Sequence, residues 1–457
     1  MKEKRKFSNK EIKENLEGSF KFYVNGWILA CFKGNGFQIG FQNGYLMANE
    51  IEEIIESLKL YITNVIERDW SFFRKAASEM YLPKLDKEYK AELEGIISGI
   101  KAYKKTNLDL IDIAALNGYY DTLSYHYWLK SGEEKFYKSP HCSAFIATGS
   151  YTEDNEVIAA HNTWFPYLTG RGYNMIAFIS PKRGNMFLMQ AYPGTIYSGT
   201  DWYINEKGLI VAETTISGAC EFNPKGKPYF ARIRKAIQYA DTIDKFSEIM
   251  VKDNNGGYAS DWLIGDSKTN EIGCLELGAK NHVLTRTKDG FFAGSNVALT
   301  EEVRAETKLD YSDKSSSYLS RRERWLQLIE ANKGKINVEL AKKFLADHFD
   351  TFALKEEPNR NTLCGHIELD SRGWREWECG PYFPFGAFDG KVSSSKLALS
   401  LSTWAHWGKP CGASFKADEF INNHPEYKWQ SSCLKDILPF PWTLFKPLIT
   451  FSKLKPF

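Results

Sequence analysis

Apolar residues in the first third of the chain recur at the spacing of one helix face. They do so between residues 45 and 66 and again after Pro83. Repeats of three and four positions are typical of amphipathic helices, so the pattern predicts a helix over 45–66, a second after Pro83 and a third within 108–123. Residues 21–31 have the composition of a strand. We therefore predict a mostly helical N-terminal segment.

The pattern changes after residue 140. Short runs rich in β-branched and aromatic residues alternate with Gly, Pro, Asp and Asn, which is typical of strands joined by turns. We expect consecutive antiparallel strands in "CSAFIATGS", "EVIAAHNTW", "YNMIAFISP", "NMFLMQAYP" and "GLIVAETTI". Helices are predicted again at 229–252 and 318–349. This order indicates an α+β fold in which two antiparallel sheets lie between helical layers.

Composition and charge exclude several classes of function. The 457 residues include 59 Lys+Arg and 57 Asp+Glu, a net charge of +2, so no basic surface for nucleic acid is expected. No apolar segment of about 18 residues is present and the N-terminus has no signal-like segment, which predicts a soluble, cytoplasmic protein. The aromatic tail 438–457 is predicted to cover an apolar surface, with peripheral membrane contact as the alternative.

The eight cysteines form no C-x-x-C pair. This argues against a zinc ribbon or a redox dithiol, and most of the cysteines are expected to be buried thiols. No phosphate-binding loop and no H-E-x-x-H motif occurs, so we predict no cofactor and no catalytic metal. The run "RRERW" at 321–325 is interpreted as the solvated start of a helix.

Cys142 occupies an unusual place in the chain. It follows a charged stretch, residues 128–140, that ends in Pro140 and is expected to be exposed and cleavable, and it begins a predicted strand. A lone cysteine is most often a small buried hydrophobe. Cleavage between His141 and Cys142, however, would give Cys142 a free α-amine beside its thiol. One residue would then supply both the nucleophile and the base.

Several ordered motifs resemble one family. The Cys142 strand, "AHNTW" and residues 192–216 and 256–266 resemble the phospholipase B-like proteins and the related penicillin acyltransferase-type C45 group. The resemblance implies a four-layer αββα sandwich of the N-terminal nucleophile hydrolases and an inactive precursor. It also implies self-cleavage before Cys142 into segments 1–141 and 142–457, which remain associated.

The resemblance also implies further site residues. Penicillin acyltransferases place Arg-Asn-aromatic-Asp on the second strand, whereas this chain has His161, Asn162 and Trp164 there, as the phospholipase B-like branch does. No carboxylate would then orient the amine. His161 is expected to hold the thiolate or the amine by a hydrogen bond.

Acyl transfer also needs hydrogen-bond donors for the developing oxyanion. Related enzymes use the end of a strand like "GLIVAETTI", where this chain carries Thr214 and Thr215. Asp201 and Asn296 are further polar candidates, with turn stabilisation as the alternative interpretation.

These features predict an amidohydrolase or acyltransferase that cleaves small or lipid-like N-acyl substrates through a thioester on Cys142. A phospholipase B-like acyl-ester hydrolase and a catalytically silent binding protein are the alternatives. A papain-like enzyme is disfavoured because its C-G-S-C-W context is missing. An acyl-binding lining is predicted from the aromatic residues Phe145, Trp164, Phe165, Tyr192, Tyr197 and Trp202.

Overall fold

A computed structural model describes residues 7–130, 141–219, 221–374 and 379–447. Helices cover the outer sides of two large sheets. The helices are α1 Asn9–Leu16, α2 Gly36–Leu46, α3 Ala48–Tyr61, α4 Trp70–Ala76, α5 Lys87–Tyr103, α6 Leu110–Asn117, α7 Tyr119–Leu129, α8 Tyr167–Gly170, α9 Tyr229–Tyr239, α10 Ile243–Val251, α11 Glu301–Arg304, α12 Ser317–Ala331, α13 Val338–Leu345, α14 Ser395–Ala398 and α15 Ala417–Asn423.

The strands form two large sheets and one small one. They are β1 Phe20–Val24, β2 Trp27–Gly34, β3 His141–Thr148, β4 Ile158–Pro166, β5 Met175–Pro181, β6 Phe187–Ala191, β7 Trp202–Asn205, β8 Leu209–Thr215, β9 Ser260–Asp266, β10 Glu271–Leu277, β11 His282–Thr287, β12 Gly290–Gly294, β13 Phe349–Asp350, β14 Lys355–Glu356, β15 Phe385–Ala387, β16 Asp389–Ser394, β17 Thr403–Trp407 and β18 Thr443–Phe445.

The larger sheet has nine strands in the order β1-β2-β5-β6-β7-β8-β9-β10-β11. The second has seven strands in the order β12-β3-β4-β16-β17-β18, with β15 also paired to β4. The α+β class predicted from the sequence is confirmed. Two details differ from the prediction. β2 pairs with β5 in parallel, and the chain crosses between sheets after β4, so β4 and β5 are not neighbours.

The two large sheets pack face to face between helical layers. β3 and β4 of the seven-stranded sheet contact β8 of the nine-stranded sheet, while α2, α9 and α10 cover the other side of the nine-stranded sheet and α12 and α13 cover that of the seven-stranded sheet. Each sheet thus buries one face against the other sheet and one against helices, which explains why its strands are apolar almost throughout.

The predicted strand over residues 21–31 is a hairpin instead. Asn25 and Gly26 both have positive φ, +46° and +79°, and they connect β1 to β2 with Val24 paired to Trp27. Asn-Gly between apolar runs is a strong hairpin signal, so the turn was readable from the sequence.

The predicted helices lie close to their expected positions, with breaks that the apolar pattern does not show. The helix over 45–66 comprises the end of α2, then α3, and a π-helical turn at Ile62–Ile66. The helix after Pro83 is α5. The third is split into α6 and α7 at Gly118. The helices over 229–252 and 318–349 are likewise each split in two, as α9 with α10 and α12 with α13.

Glycines allow α2 and α5 to pack with their backbones in contact. A Cβ atom at Gly40 would overlap the carbonyl of Glu92, and one at Gly99 would overlap the carbonyl of Phe41. The mostly helical N-terminal segment is thereby held as one layer. It also contributes β1 and β2 to the nine-stranded sheet, so it is not purely helical.

Two sequence predictions fall partly outside the described residues. Of the predicted cleavable stretch 128–140, residues 131–140 lie outside, as does the side chain of His141. Of the aromatic tail, residues 438–447 are described. There β18 pairs with β17, and Phe440 packs against the core. Within the described residues, no helix combines the length and apolar character needed to span a membrane.

Candidate active site

Strands β3 and β4 place the Cys142 thiol on the face that packs against the nine-stranded sheet. Cys142 lies opposite Thr163, and Ala144 lies opposite His161. Side chains alternate along a strand and directly paired residues share a face, so Cys142, Thr163 and His161 point the same way. The His161 ring reaches the carbonyl of Glu213 on β8 of the other sheet, which identifies this face as the inner one.

On the side of β3 away from β4, side chains and not a neighbouring strand contact the backbone of Cys142. β12 ends at Gly294, which pairs with Ala144, so the ladder stops before Cys142. The N–H of Cys142 donates to Asn296 Oδ1 at 3.4 Å, and its carbonyl accepts from Arg321 Nη1 at 2.8 Å. The nitrogen that cleavage would free is therefore already positioned.

Asn296 connects these contacts. Its Nδ2 donates to the carbonyl of Thr215 at 2.8 Å, and its Oδ1 also accepts from Arg321 Nη2 at 2.9 Å. Its φ of +70° lies in the left-handed region, which Asn tolerates better than most residues. This turn directs the amide toward Cys142, so the structure brings this predicted candidate into direct contact with the backbone of Cys142.

Arg321 is fully buried with its guanidinium groups saturated by hydrogen bonds. Besides Cys142 and Asn296, it donates to Ser143 Oγ at 3.0 Å and to the carbonyls of Ser295 and Ser317, each at 3.2 Å. These acceptors come from β3, the loop after β12 and α12. The sequence interpretation of "RRERW" as a solvated helix start is therefore wrong for Arg321.

The charge of Arg321 has no carboxylate counter-ion among the described residues. Burial lowers its pKa to about 9, and the groups that oppose this shift are Tyr318 and the Cys142 thiol. An unpaired buried cation is costly. A negative charge forming at Cys142 would compensate it, so the position of Arg321 favours thiolate or oxyanion chemistry.

The thiol of Cys142 is protonated in this environment. Burial raises its pKa well above the usual value and the charge of Glu213 adds to this effect, while Lys391 and a backbone hydrogen bond from Trp164 act in the opposite direction. Activation therefore needs a base close to the sulfur, because an unassisted buried thiol is a poor nucleophile.

Lys391 supplies a second buried cation near the thiol. Its Nζ donates to Thr163 Oγ1 at 2.7 Å and to Asp389 Oδ1 at 2.8 Å, and it lies opposite His161 in the pairing of β16 with β4. Burial lowers the pKa of Lys391, and Asp389 opposes this shift. Thr163, the strand partner of Cys142, thus holds a Lys–Asp pair on the same face of the sheet as the thiol.

A carboxyl pair lies behind β8. Asp201 Oδ1 accepts a hydrogen bond from Tyr229, and its Oδ2 accepts from Tyr258 at 2.8 Å. Burial raises the pKa of Asp201 to about 7 despite these bonds. Burial also raises the pKa of Glu213 well above its usual range, with the neighbouring Asp201 charge as a further cause. Two close carboxyls in a dry site favour retention of a proton.

Asp201→Asn should flatten the dependence of stability on pH. A carboxyl whose folded pKa exceeds its unfolded value stabilises fully below the unfolded value, and this contribution is lost as pH rises through the folded value. The wild-type urea midpoint should therefore fall between pH 3.8 and about 7. Asp266→Asn, which changes a turn carboxylate at the last residue of β9, is the control and should retain the fall. An equally steep fall in Asp201→Asn would contradict this assignment.

His161 does not adopt the predicted contact with Cys142. Its Nε2 is 3.0 Å from the carbonyl oxygen of Glu213, and its Nδ1 is buried with no partner among the described residues. Burial lowers its pKa well below the usual value, with the charge of Lys391 as the next cause. His161 is therefore neutral and ties β4 to β8, while its free acceptor lies on the inner face.

Asn162 and Trp164 project from the opposite face of the sheet. Both donate to the carbonyl of Leu363, at 2.9 and 3.2 Å, and Asn162 Oδ1 accepts from the N–H of Ser143 at 3.1 Å. The Trp164 ring lies 4.5 Å from the guanidinium of Arg321. Their side chains support the site from behind and do not face the sulfur, in contrast to the catalytic contact that was predicted.

Thr214 and Thr215 end strand β8 beside this site. Thr214 packs against the backbone of Gly294, and its buried hydroxyl has no hydrogen-bond partner among the described residues. The carbonyl of Thr215 accepts from Asn296. The Thr214 hydroxyl is thus available to donate a hydrogen bond to an oxyanion. Thr215 acts through its backbone carbonyl, which holds the Asn296 side chain.

The predicted aromatic lining is divided between two faces. Phe145 packs with Trp325 and Phe344 beneath the helical layer, and Trp164 shares that outer face, so neither faces the thiol. Trp202 lies beside His161, with ring centroids 6.4 Å apart, and Phe165 packs on Tyr173. Tyr192 also stacks on Tyr173, whereas Tyr197 packs against Tyr229 and Phe230 of α9.

Sequence reasoning missed Arg321, Lys391 and Asp389. An arginine-rich run gives no indication that one of its members is buried. Lys391 and Asp389, however, alternate within a strand-like segment, "FDGKVSSS", and inward-pointing charges in a buried strand are a signal of function.

Comparisons with known proteins agree with this geometry. A family model described as phospholipase B matches residues 30–280, more than half of the chain. Phospholipase B of Crotalus adamanteus is 24% identical over 90% of this chain and 82% of its own length. Phospholipase B-like 1 of Homo sapiens is 23% identical over 87% and 82%.

The chain therefore belongs to the phospholipase B family, and it is a hydrolase. This confirms the predicted resemblance. Among solved structures, a mutant conjugated bile acid hydrolase from Clostridium perfringens is 11% identical with a TM-score of 0.33, covering 57% of this chain and 88% of that one. A similarity of this size adds nothing to the argument.

Proposed function

We propose that the chain is a self-processing hydrolase whose nucleophile is Cys142 at a new N-terminus. The observation that carries this proposal is the environment of the Cys142 backbone. Its nitrogen contacts Asn296 and its carbonyl contacts Arg321, where a structural strand residue would have a ladder partner. One amide side chain and one buried guanidinium thus converge on the backbone of one cysteine.

The proposed cleavage begins with attack of the Cys142 sulfur on the carbonyl carbon of His141. A C–S bond forms, the C–N bond to Cys142 breaks, and the thiol proton passes to the departing nitrogen. Water then hydrolyses the thioester, which leaves a carboxylate on His141 and a free thiol on Cys142. The Lys391–Thr163 contact lies on the thiol's side of the sheet, where it would stabilise the sulfur as its proton leaves.

Cleavage would change the acid–base chemistry of the site. The new α-amine has a reference pKa of about 7.7–8.0 and can take the thiol proton directly or through a water. Asn296 Oδ1 would accept a hydrogen bond from this amine and fix its direction. The Thr214 hydroxyl, which has no partner among the described residues, would donate to a substrate oxygen, and the buried charge of Arg321 would favour negative charge beside Cys142.

The two segments produced by cleavage should stay together. β2 lies before the cleaved bond and pairs along its full length with β5, which lies after it. Arg234 on α9 also forms a buried ion pair with Glu92 on α5, with N···O at 3.1 Å. Separation would expose both contacts and the core between them. We therefore propose that segments 1–141 and 142–457 remain bound to each other after cleavage.

The proposed substrates are small or lipid-like N-acyl amides. The inner face near Cys142 is lined by apolar and aromatic side chains such as Phe165 and Trp202, which suits an apolar acyl group. Acyl esters are the second candidate, because the family model and the Crotalus adamanteus relative are described as phospholipase B. The same thioester intermediate can form from an amide, which releases an amine, or from an ester, which releases an alcohol.

A matched substrate panel should show turnover that increases with acyl length. The panel comprises p-nitroanilides and p-nitrophenyl esters of acetate, octanoate and palmitate, together with unacylated peptides, and hydrolysis is followed by absorbance. A longer apolar chain buries more surface, about 0.8 kcal/mol per CH₂. Octanoate should therefore exceed acetate in kcat/KM by at least about tenfold.

The panel also separates the two substrate classes. Anilides that are hydrolysed at rates comparable to the matching esters support the amide assignment, and hydrolysis of esters alone assigns the ester alternative. Turnover of peptides without any acyl derivative would contradict both. Cys274→Ala, which removes a buried thiol in β10, is the control and should behave as wild type.

A further inference from the structure

A second cluster of nucleophilic and titratable side chains lies outside the site at Cys142. The side chains of His348, Cys364, His366 and Cys411 each direct one ligand atom toward a common centre, and these atoms lie within 4.8 Å of one another. We call them the thiol–imidazole cluster. They come from three separate segments, after α13, before residues 367–369 and after β17.

Three of the six distances within the cluster, all of them to His366, match the edges of a tetrahedron around a metal ion. The Nε2 atoms of His348 and His366 are 3.2 Å apart, and the Sγ atoms of Cys364 and Cys411 are each 3.5 Å from His366 Nε2. Tetrahedral Zn²⁺ with its usual bond lengths would place two nitrogens about 3.3 Å apart and a nitrogen and a sulfur about 3.6 Å apart.

The surroundings of His366 fix the tautomer that a metal requires. Glu368 Oε1 lies 2.9 Å from His366 Nδ1, so Nδ1–H donates to the carboxylate and Nε2 keeps its lone pair. A carboxylate behind a histidine ligand is the usual second partner in zinc sites. Lys409 forms an ion pair with the same carboxylate and donates to Tyr167 at 2.6 Å, which holds Glu368 in place.

Charge balance also favours a divalent cation in the cluster. Lys409 and Glu368 are both buried and neutralise each other. Two thiolates from Cys364 and Cys411 would neutralise Zn²⁺, so the buried group would carry no net charge. Uncompensated charge in such a site is costly. His348 and Cys411 are only partly buried, which gives a metal ion access from solvent.

We propose that the thiol–imidazole cluster binds one Zn²⁺ ion through His348 Nε2, His366 Nε2, Cys364 Sγ and Cys411 Sγ. Four protein ligands leave no open position, which is typical of structural zinc. The ion would fasten three segments of the chain at the edge of the seven-stranded sheet. Mixed thiolate and imidazole ligands in tetrahedral geometry suit zinc better than hard cations.

The proposed zinc would also fix the loop behind the Cys142 site. Leu363, which precedes the ligand Cys364, accepts hydrogen bonds from Asn162 and Trp164 on β4. Gly365 lies against the Trp164 ring, where a Cβ would overlap it. The loop and the strand therefore move together, and the metal would act on the site only through this packing.

The test is direct measurement of metal in the full chain. The chain is purified without a metal-affinity column, and its metals are counted by inductively coupled plasma mass spectrometry. About one zinc per chain is expected. Replacement by Co²⁺ should give the visible bands of a tetrahedral site and near-ultraviolet thiolate charge transfer.

Variants assign the ligands. Cys411→Ser and His348→Ala should lose the zinc, whereas Cys433→Ser and His424→Gln, which lie outside the cluster, should retain it. His348→Cys preserves four ligands and should keep the metal, with Co²⁺ charge transfer increased by one further thiolate. Glu368→Gln should weaken zinc affinity by about 10–100-fold. His348→Cys keeps the test decisive where the other ligand variants fail to fold.

Three results would overturn the proposal. The first is a reduced chain that contains no zinc and takes up none on reconstitution. The second is an equimolar metal other than zinc. The third is a mass lower by two hydrogens with a peptide linking Cys364 to Cys411, which would show a disulfide where the structure has two thiols.

Discussion

The Cys142→Ala chain is expected to remain a single polypeptide and to lose turnover by on the order of 10⁴-fold or more. The variant has neither the sulfur that would attack His141 nor the nucleophile for substrate. Methyl for thiol is a small change in volume at a buried site, so the fold should persist. Denaturing gel electrophoresis and intact mass measurement report the number of chains.

The matched control is Cys274→Ala, since Cys274 is also a buried thiol whose pKa is raised by burial. This control should be processed between His141 and Cys142 at the wild-type rate. Cleavage of Cys142→Ala at the same bond and rate would show that another protease cuts the chain. A wild-type chain that stays intact yet hydrolyses the acyl panel would separate catalysis from self-processing.

Local signals in the sequence predicted most of the fold. The apolar spacing after Pro83 predicted α5, and the runs after residue 140 predicted β3, β4 and β8. The breaks within the predicted helices were missed because the apolar stripe continues across α2 and α3, while the break depends on one backbone conformation at Met47. Asn25 and Gly26 did carry a local turn signal.

Site residues could be predicted only where the signal lies in neighbouring residues of the sequence. Cys142 is recognisable because it begins a strand directly after a charged stretch. Asn296 and Arg321, which contact its backbone, are distant in sequence. Arg321 reads as one arginine among three, and nothing adjacent reveals its burial. The thiol–imidazole cluster has no spacing motif at all, because the fold brings three segments together. The burial of Arg321 and the assembly of the thiol–imidazole cluster both depend on packing between residues that are distant in sequence.

Arg321→Lys should slow processing and reduce kcat by about 10²-fold, because Arg321 positions the Cys142 carbonyl and Asn296 and a small misplacement of a reacting group can cost about that much. Lysine keeps the charge but not the planar fork. It cannot reach the Cys142 carbonyl, Asn296 and Ser143 together. Arg322→Lys is the control, because Arg322 lies on the same helix and donates to the Ala293 carbonyl without contacting Cys142. Equal losses in the two variants would indicate a general effect on α12.

Arg321→Gln tests whether the guanidinium charge acts on the thiol itself. Arg321 and Cys142 interact electrostatically across a buried site, and a cation at close range favours the thiolate, typically by about 1–3 pKa units. Removal of the charge should therefore move the alkylation of Cys142 by iodoacetamide to higher pH, and the rate at neutral pH should fall. A purely structural arginine would change the unfolding midpoint without moving this profile. An unshifted pH profile in a folded Arg321→Gln chain would thus limit Arg321 to packing, whereas a shift with a preserved midpoint would identify it as the cation that stabilises the nucleophile.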